Sequence, residues 1–208
     1  MLHLKALPAG TLPVLERLMA LPALSGHALV GGTALALRYG HRLSVDLDLF
    51  ASEQDHDALQ AALITEFGST LQYEPGRGRS IGLFCYINGV KVDIVKYPHP
   101  LITPLETFGT VRMVGDADVG AMKIQALLGR GKKKDFWDLA VLLQHHGLDD
   151  IIAWHERKYP SQLLAISIPS AITYFTDAEE SEDPISLQGQ TWEGVKDSIR
   201  KAVSDYLR

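Results

Sequence analysis

Leu29-Val30-Gly31-Gly32-Thr33-Ala34-Leu35-Ala36-Leu37-Arg38-Tyr39-Gly40-His41-Arg42-Leu43-Ser44-Val45-Asp46-Leu47-Asp48-Leu49-Phe50 is the stretch on which the reading of this chain turns. Its end alternates apolar and acidic residues, which predicts a strand with Val45, Leu47 and Leu49 turned to the core and Asp46 and Asp48 sharing the other face. Two carboxylates on one face repel, and folding gives little reason to place them there. A divalent cation resolves the conflict, because Mg²⁺ takes hard oxygen ligands and often one or two carboxylates. Upstream, Gly31-Gly32 lets the backbone approach a ligand closely. Thr33 is expected to open an apolar helix whose free N–H groups can hold phosphate. A phosphate cradle followed by a carboxylate pair points to nucleotidyl-transfer chemistry.

Totals set the frame. The 208 residues allow one compact domain, or a core with a helical appendage, and 46% of them are apolar. The net charge of −5 argues against a chain coated in basic charge, while leaving room for a local basic patch. A single cysteine, Cys85, permits no internal disulfide and suits a reducing cytoplasm. The start of the chain has no basic-then-apolar leader pattern, with Pro8 and Pro13 interrupting it, and no apolar run approaches the roughly 20 residues that span a membrane. The expected location is cytoplasmic.

Helices are predicted over residues 11–24 and 55–67, the latter closed by Gly68. Strands are predicted at Thr70–Tyr73, Ile81–Ile87 and Val90–Tyr97, with Asn88-Gly89 as a hairpin turn. The last strand reads Val90-Lys91-Val92-Asp93-Ile94-Val95, so its one acid needs a partner. A salt bridge to Lys91 or Arg79 would provide one. Pro98 to Pro104 is a connector, and Val111–Val114 a short strand. Asp116-Ala117-Asp118 offers a cap to a helix through Leu128, and a second helix follows from Phe136 and ends at Gly147. Asp149–Lys158, Ser161–Tyr174 and Thr191–Tyr206 read as further helices, and Phe175–Pro184 as an acidic, solvated stretch. His145-His146 carries no zinc-ligand spacing.

The ordered motifs resemble the polymerase-beta-type nucleotidyltransferase superfamily. The wording Val30-Gly31-Gly32-Thr33-Ala34-Leu35-Ala36-Leu37 with Gly40-His41-Arg42-Leu43-Ser44-x-Asp46-Leu47-Asp48-Leu49-Phe50 is similar to its AbiEii/AbiGii toxin branch. A second block, Lys123 in an apolar helix followed by Lys134, Asp135, Asp138 and Leu139, matches the same branch, as does Tyr174-Phe175-x-Asp177-Ala178-Glu179. The resemblance implies an α+β fold. A nucleotidyltransferase-type mixed sheet flanked by helices would form a catalytic core over residues 1–114. A mainly helical region over 115–208 would complete the nucleotide site.

It also implies roles. Asp46, Asp48 and Asp93 would bind Mg²⁺ and, with Lys123, serve catalysis. Gly31, Gly32, Thr33, Arg42, Ser44 and Lys134 would hold the NTP, with Asp135 and Asp138 orienting Lys123 or Arg42. From the residues alone, the alternative for Lys123 is a snorkelling surface lysine, and Asp135 and Asp138 are equally first-turn acids favoured by the helix dipole. The implied partners are an NTP, an RNA acceptor (the tRNA acceptor end) and a cognate antitoxin. Arg77-Gly78-Arg79 and Arg130-Gly131-Lys132-Lys133-Lys134 are either RNA-backbone contacts or solvated turns. Two other readings are a small-molecule nucleotidyltransferase of the aminoglycoside-modifying kind, which an acidic cleft would favour, and a non-catalytic NTP-binding regulator, which retention of all three aspartates disfavours.

Overall fold

The computed structural model describes residues 1–74, 82–129 and 131–208. The Arg77-Gly78-Arg79 tract, the expected strand start at Ile81 and Arg130 lie outside the described residues. Helix α1 (Thr11–Ala20) carries Pro13 in its first turn, where proline is tolerated, and buries Val14, Leu15, Leu18 and Met19. Strand β1 (Ala28–Leu29) leads into helix α2 (Gly31–Tyr39), and strand β2 spans Leu47–Ala51. Helix α3 (His56–Phe67) is capped by the Asp55 carboxylate, which accepts the Asp57 and Ala58 N–H groups at 3.1 Å each.

Strands β3 (Leu71–Tyr73), β4 (Gly82–Ile87) and β5 (Val90–Lys96) follow. The β4–β5 turn has Asn88 at φ 51° and Gly89 at φ 79°, both left-handed, as the favoured two-residue hairpin requires. Strands β6 (Glu106–Phe108) and β7 (Val111–Met113) complete a seven-stranded mixed sheet of order β3-β4-β5-β2-β1-β7-β6. β2 runs parallel to β5, and β1 parallel to β7, while the other neighbours are antiparallel.

The second half is helical: α4 (Asp116–Gly129), α5 (Lys133–Leu142), α6 (Leu148–Lys158), α7 (Ile168–Ile172), α8 (Thr176–Glu179) and α9 (Trp192–Tyr206). Helix α4 packs against α2, α5, α6 and α7, and α9 closes on α5 and α6. Trp192, Val195, Ile199 and Val203 of α9 are buried at the expected helical spacing. The α+β class and the mixed sheet with its flanking helices agree with the expectation. Among the described residues, no helix is long and apolar enough to cross a membrane.

Several local expectations need correction. Helix α2 opens at Gly31, two residues before Thr33, because Gly31 at φ 69° turns the chain directly off β1. β2 starts at Leu47, so Val45 lies ahead of the sheet and is 54% exposed. Ser161–Tyr174 is not one helix: only Ile168–Ile172 is helical, with Pro169 in its first turn. The stretch after Phe175 is not wholly solvated. Phe175 and Ala178 are buried, and the Phe175 ring lies 5.1 Å from Phe136 and 5.7 Å from Trp192. Asp118 does not cap α4 but is buried inside it.

Candidate active site

The parallel pairing of β2 with β5 places Leu47 opposite Val92, Asp48 opposite Asp93 and Leu49 opposite Ile94. Side chains alternate across a sheet, so the four apolar residues go to the buried face and the two carboxylates share the other. Leu47, Leu49, Val92 and Ile94 are fully buried. Burial pushes the Asp48 carboxyl above the usual carboxylate range, and the charges of Asp93 and Asp46 push it the same way. Lys91 Nζ lies 3.3 Å from Asp93 Oδ2, so the salt bridge that was one of the two partners considered for Asp93 is present. Asp46 sits just before the strand, with Lys134 Nζ 3.6 Å from its Oδ2.

The two glycines are fixed by what surrounds them. A Cβ on Gly31 would lie 3.1 Å from Asp48 Oδ2, and one on Gly32 would lie 2.0 Å from Arg42 Nη2. The start of α2 is thus pressed between a carboxylate and a guanidinium, with no side chain capping its first N–H groups. Thr33 Oγ1 donates to the Asp46 carbonyl, and Ser44 Oγ, 2.8 Å away, then donates to Thr33. These two hydroxyls tie the segment before β2 to α2.

Beneath the cleft is a buried ionic network. Asp138 Oδ1 accepts from Arg42 Nε at 2.7 Å and His41 Nε2 at 2.8 Å; Oδ2 accepts from Arg42 Nη2 at 2.9 Å and Lys123 Nζ at 2.6 Å. Asp135 Oδ1 accepts from Lys123 Nζ at 3.0 Å. Both aspartates are fully buried, and Arg42 and Lys123 nearly so. Burial alone would raise the Asp138 carboxyl, but the Arg42 and Lys123 charges outweigh it and hold it well below the usual range. Burial would equally lower the Lys123 ammonium, and Asp138 and Asp135 reverse that. Lys123 is not a surface lysine: Asp138 meets both cations, and Asp135 meets Lys123.

Gly31, Gly32, Thr33, Arg42, Ser44, Asp46, Asp48, Lys123 and Lys134 all line one cleft of about 220 Å³. The structure therefore brings together nine of the nominated residues. Asp93 lies beside the cleft on β5, and Asp135 and Asp138 lie under it. Sequence reading assigned no role to His41, though it adjoins Arg42 in the motif, or to Phe50, which follows Asp48 on the same face of β2 and lines the cleft. Two opposed carboxylates, one lining the cleft and one beside it, suit a hard divalent cation. Among the described residues, no group of three or more His, Cys, Asp or Glu side chains is gathered closely enough to hold a metal ion. Cys85 is buried, with its thiol pushed up to about 12 by that burial, and plays no chemical part.

A mixed sheet carrying paired aspartates beside a glycine-opened helix is the arrangement that the nucleotidyltransferase resemblance implies. The model of the nucleotidyl transferase AbiEii toxin family, from type IV toxin–antitoxin systems, matches residues 14–183, and the chain belongs to that family. It is 32% identical over 199 residues to the uncharacterized protein aq_aa25 of Aquifex aeolicus (strain VF5), covering 93% of this chain and 94% of that one. Two solved structures share the fold. MenT4, a nucleotidyltransferase toxin of Mycobacterium tuberculosis H37Rv, aligns with a TM-score of 0.63 at 15% identity, over 93% of this chain and 81% of its own. JHP933 from Helicobacter pylori aligns with a TM-score of 0.58 at 17% identity, over 92% and 86%.

Proposed function

We propose that this nucleotidyltransferase moves a nucleoside monophosphate from an NTP to RNA, at the tRNA acceptor end, and acts as the toxin partnered by a cognate antitoxin. The observation that carries the reading is the register of Asp48 against Asp93 beside the N-terminus of α2. In this reading residues 1–114 form the catalytic core and 115–208 complete the nucleotide site. The α2 N–H groups, Ser44, Arg42 and Lys134 receive the triphosphate, whose charge suits a helix N-terminus and two cations. Asp135 and Asp138 hold Lys123 and Arg42 in place, so that both cations are oriented before substrate arrives.

Mg²⁺ held by Asp48 and Asp93, with Asp46 at the cleft edge, would supply charge neutralisation at the transferring phosphoryl group. Asp93 accepts the proton of the acceptor hydroxyl. The oxygen so released forms a bond to the α-phosphorus as the bond to the β-bridging oxygen breaks, and pyrophosphate leaves with that electron pair. Lys123 and Arg42 balance the charge that develops. The test is to incubate the protein with α-labelled NTP and purified tRNA and to map the label by nuclease digestion. Label at the 3′ terminal nucleotide supports the acceptor assignment. Label only on an aminoglycoside-like amino sugar offered in parallel would contradict it.

A further inference from the structure

Along β2, Phe50 follows Asp48 by two residues on the same face, about 7 Å further at the usual strand rise. There the 220 Å³ cleft is bordered by a second cavity of about 280 Å³. Val30, Phe50 and Met122 line both, so the two adjoin. The second cavity differs in chemistry. Its walls are Phe50, Tyr97, Pro100, Leu101 and Leu105, with His99 at one side. The Phe50 and Tyr97 rings lie 5.0 Å apart, the Tyr97 and His99 rings 4.7 Å apart, and His99 meets Tyr159 at 4.8 Å.

This wall is built rather than incidental. Asp118, fully buried in α4, accepts the Ile102 N–H at 2.9 and 3.1 Å, the Thr103 N–H at 3.0 Å and Lys158 Nζ at 2.7 Å. Lys158 Nζ also donates to the Pro100 carbonyl at 2.9 Å. The connector after β5 is thereby clamped to α4 and α6 with its apolar side chains over the cavity. Lys158, which also lines the cavity, has its Nζ engaged by Asp118 and the Pro100 carbonyl. Burial and the Lys158 charge lower the His99 imidazole from its usual value, outweighing a hydrogen bond with the Lys158 backbone that raises it.

Resting on the nucleotidyl-transfer reading of the neighbouring cleft, we infer that this cavity binds the heterocyclic base of the incoming NTP, stacked against Phe50 and Tyr97. Two residues along the strand are about one sugar ring from the carboxylates where the α-phosphate would lie. Flat apolar walls with few polar side chains hold the faces of a ring and read its edges little. Discrimination among the four bases therefore comes from shape and is modest.

The test compares Phe50→Ala with wild type for binding of NTP, of inorganic tripolyphosphate and of free nucleosides, with circular dichroism as the folding control. Leu101→Trp, at a half-exposed lip position, fills the cavity without touching the core and covers the case in which Phe50→Ala fails to fold. The expected result is a loss of about tenfold or more in NTP affinity with tripolyphosphate binding unchanged. Saturation-transfer NMR signals from nucleoside base protons should be present in wild type and lost in the variants. NTP and tripolyphosphate affinities that both stay, or that fall together, would overturn the inference. So would an unchanged NTP affinity with a raised KM for RNA, which would give the cavity to the acceptor's base. Failure of wild type to bind tripolyphosphate would count against the phosphate cleft instead, and the nucleoside signals would still decide the cavity.

Discussion

Asp48 and Asp93 are register partners on the adjacent parallel strands β2 and β5, carboxylate beside carboxylate on one face of the sheet. Cross-strand like charges are unfavourable, and here the first is also half-buried. Asp48→Asn removes the repulsion and should raise the melting temperature of the metal-free protein at neutral pH by a few degrees, the equivalent of about 1 kcal/mol. Thermal melts in chelator measure it. A clear drop in melting temperature would mean that Asp48 is held by its surroundings rather than strained by them.

Gly32 allows Arg42 to lie flat against Asp138. Gly32→Ala puts a methyl 2.0 Å from Arg42 Nη2 and 3.1 Å from Asp138 Oδ2. The guanidinium must then leave its carboxylate. Overpacking of this kind costs about 1–3 kcal/mol, and NTP affinity should fall with it. Denaturant titration and NTP binding on the same preparation check both. Unchanged affinity would separate Arg42 from the nucleotide.

The Asp138 carboxyl is held well below the usual range in the folded chain. Its contribution to stability is therefore full above the unfolded value, near pH 4. It is lost as pH falls through the lower folded value. Asp138→Asn should be less stable than wild type by about 3–5 kcal/mol at pH 7, since it leaves buried cations short of a counter-charge. The difference should shrink steadily as pH falls below about 4. Urea unfolding at pH 7 and at pH 3 tests this; a gap that stays constant contradicts the ionic account.

Around Lys132–Lys134 the structure assigns each lysine different company. Lys133 Nζ pairs with Asp183 at 2.8 Å, and Lys134 faces Asp46, while Lys132 is exposed. If RNA passes this tract, Lys132→Ala should lower the log–log salt slope of RNA binding by about 0.7–0.9. Lys133→Ala should change it much less. Salt titrations of the two variants make the comparison, and equal slopes for wild type and Lys132→Ala would remove the tract from the RNA path.

Much of the site was legible because its signals are local. Asp46 and Asp48 alternate with leucines, Gly31-Gly32 precedes a helix, and Asn88-Gly89 marks the hairpin that carries Asp93 beside Asp48. The two-residue β1 was too short to show a period, and β6 shows too little of one. Val45 falls outside the sheet because its alternation with Asp46 begins two residues before the strand does. Phe175 and Ala178 were read as solvated because acidic neighbours hid two residues that Phe136 and Trp192 bury. The partnership of Asp118 with Lys158 spans 40 residues, and nothing local to either residue announces it.

The most direct measurement is label transfer. Wild type and Asp48→Asn are each incubated with every α-labelled NTP, Mg²⁺ and total RNA, and the RNA is resolved on a gel. The account predicts labelled RNA from wild type with at least one NTP and none from Asp48→Asn, whose amide holds Mg²⁺ poorly. Labelling at the wild-type rate by Asp48→Asn, or no labelled RNA from wild type with any NTP, would contradict it.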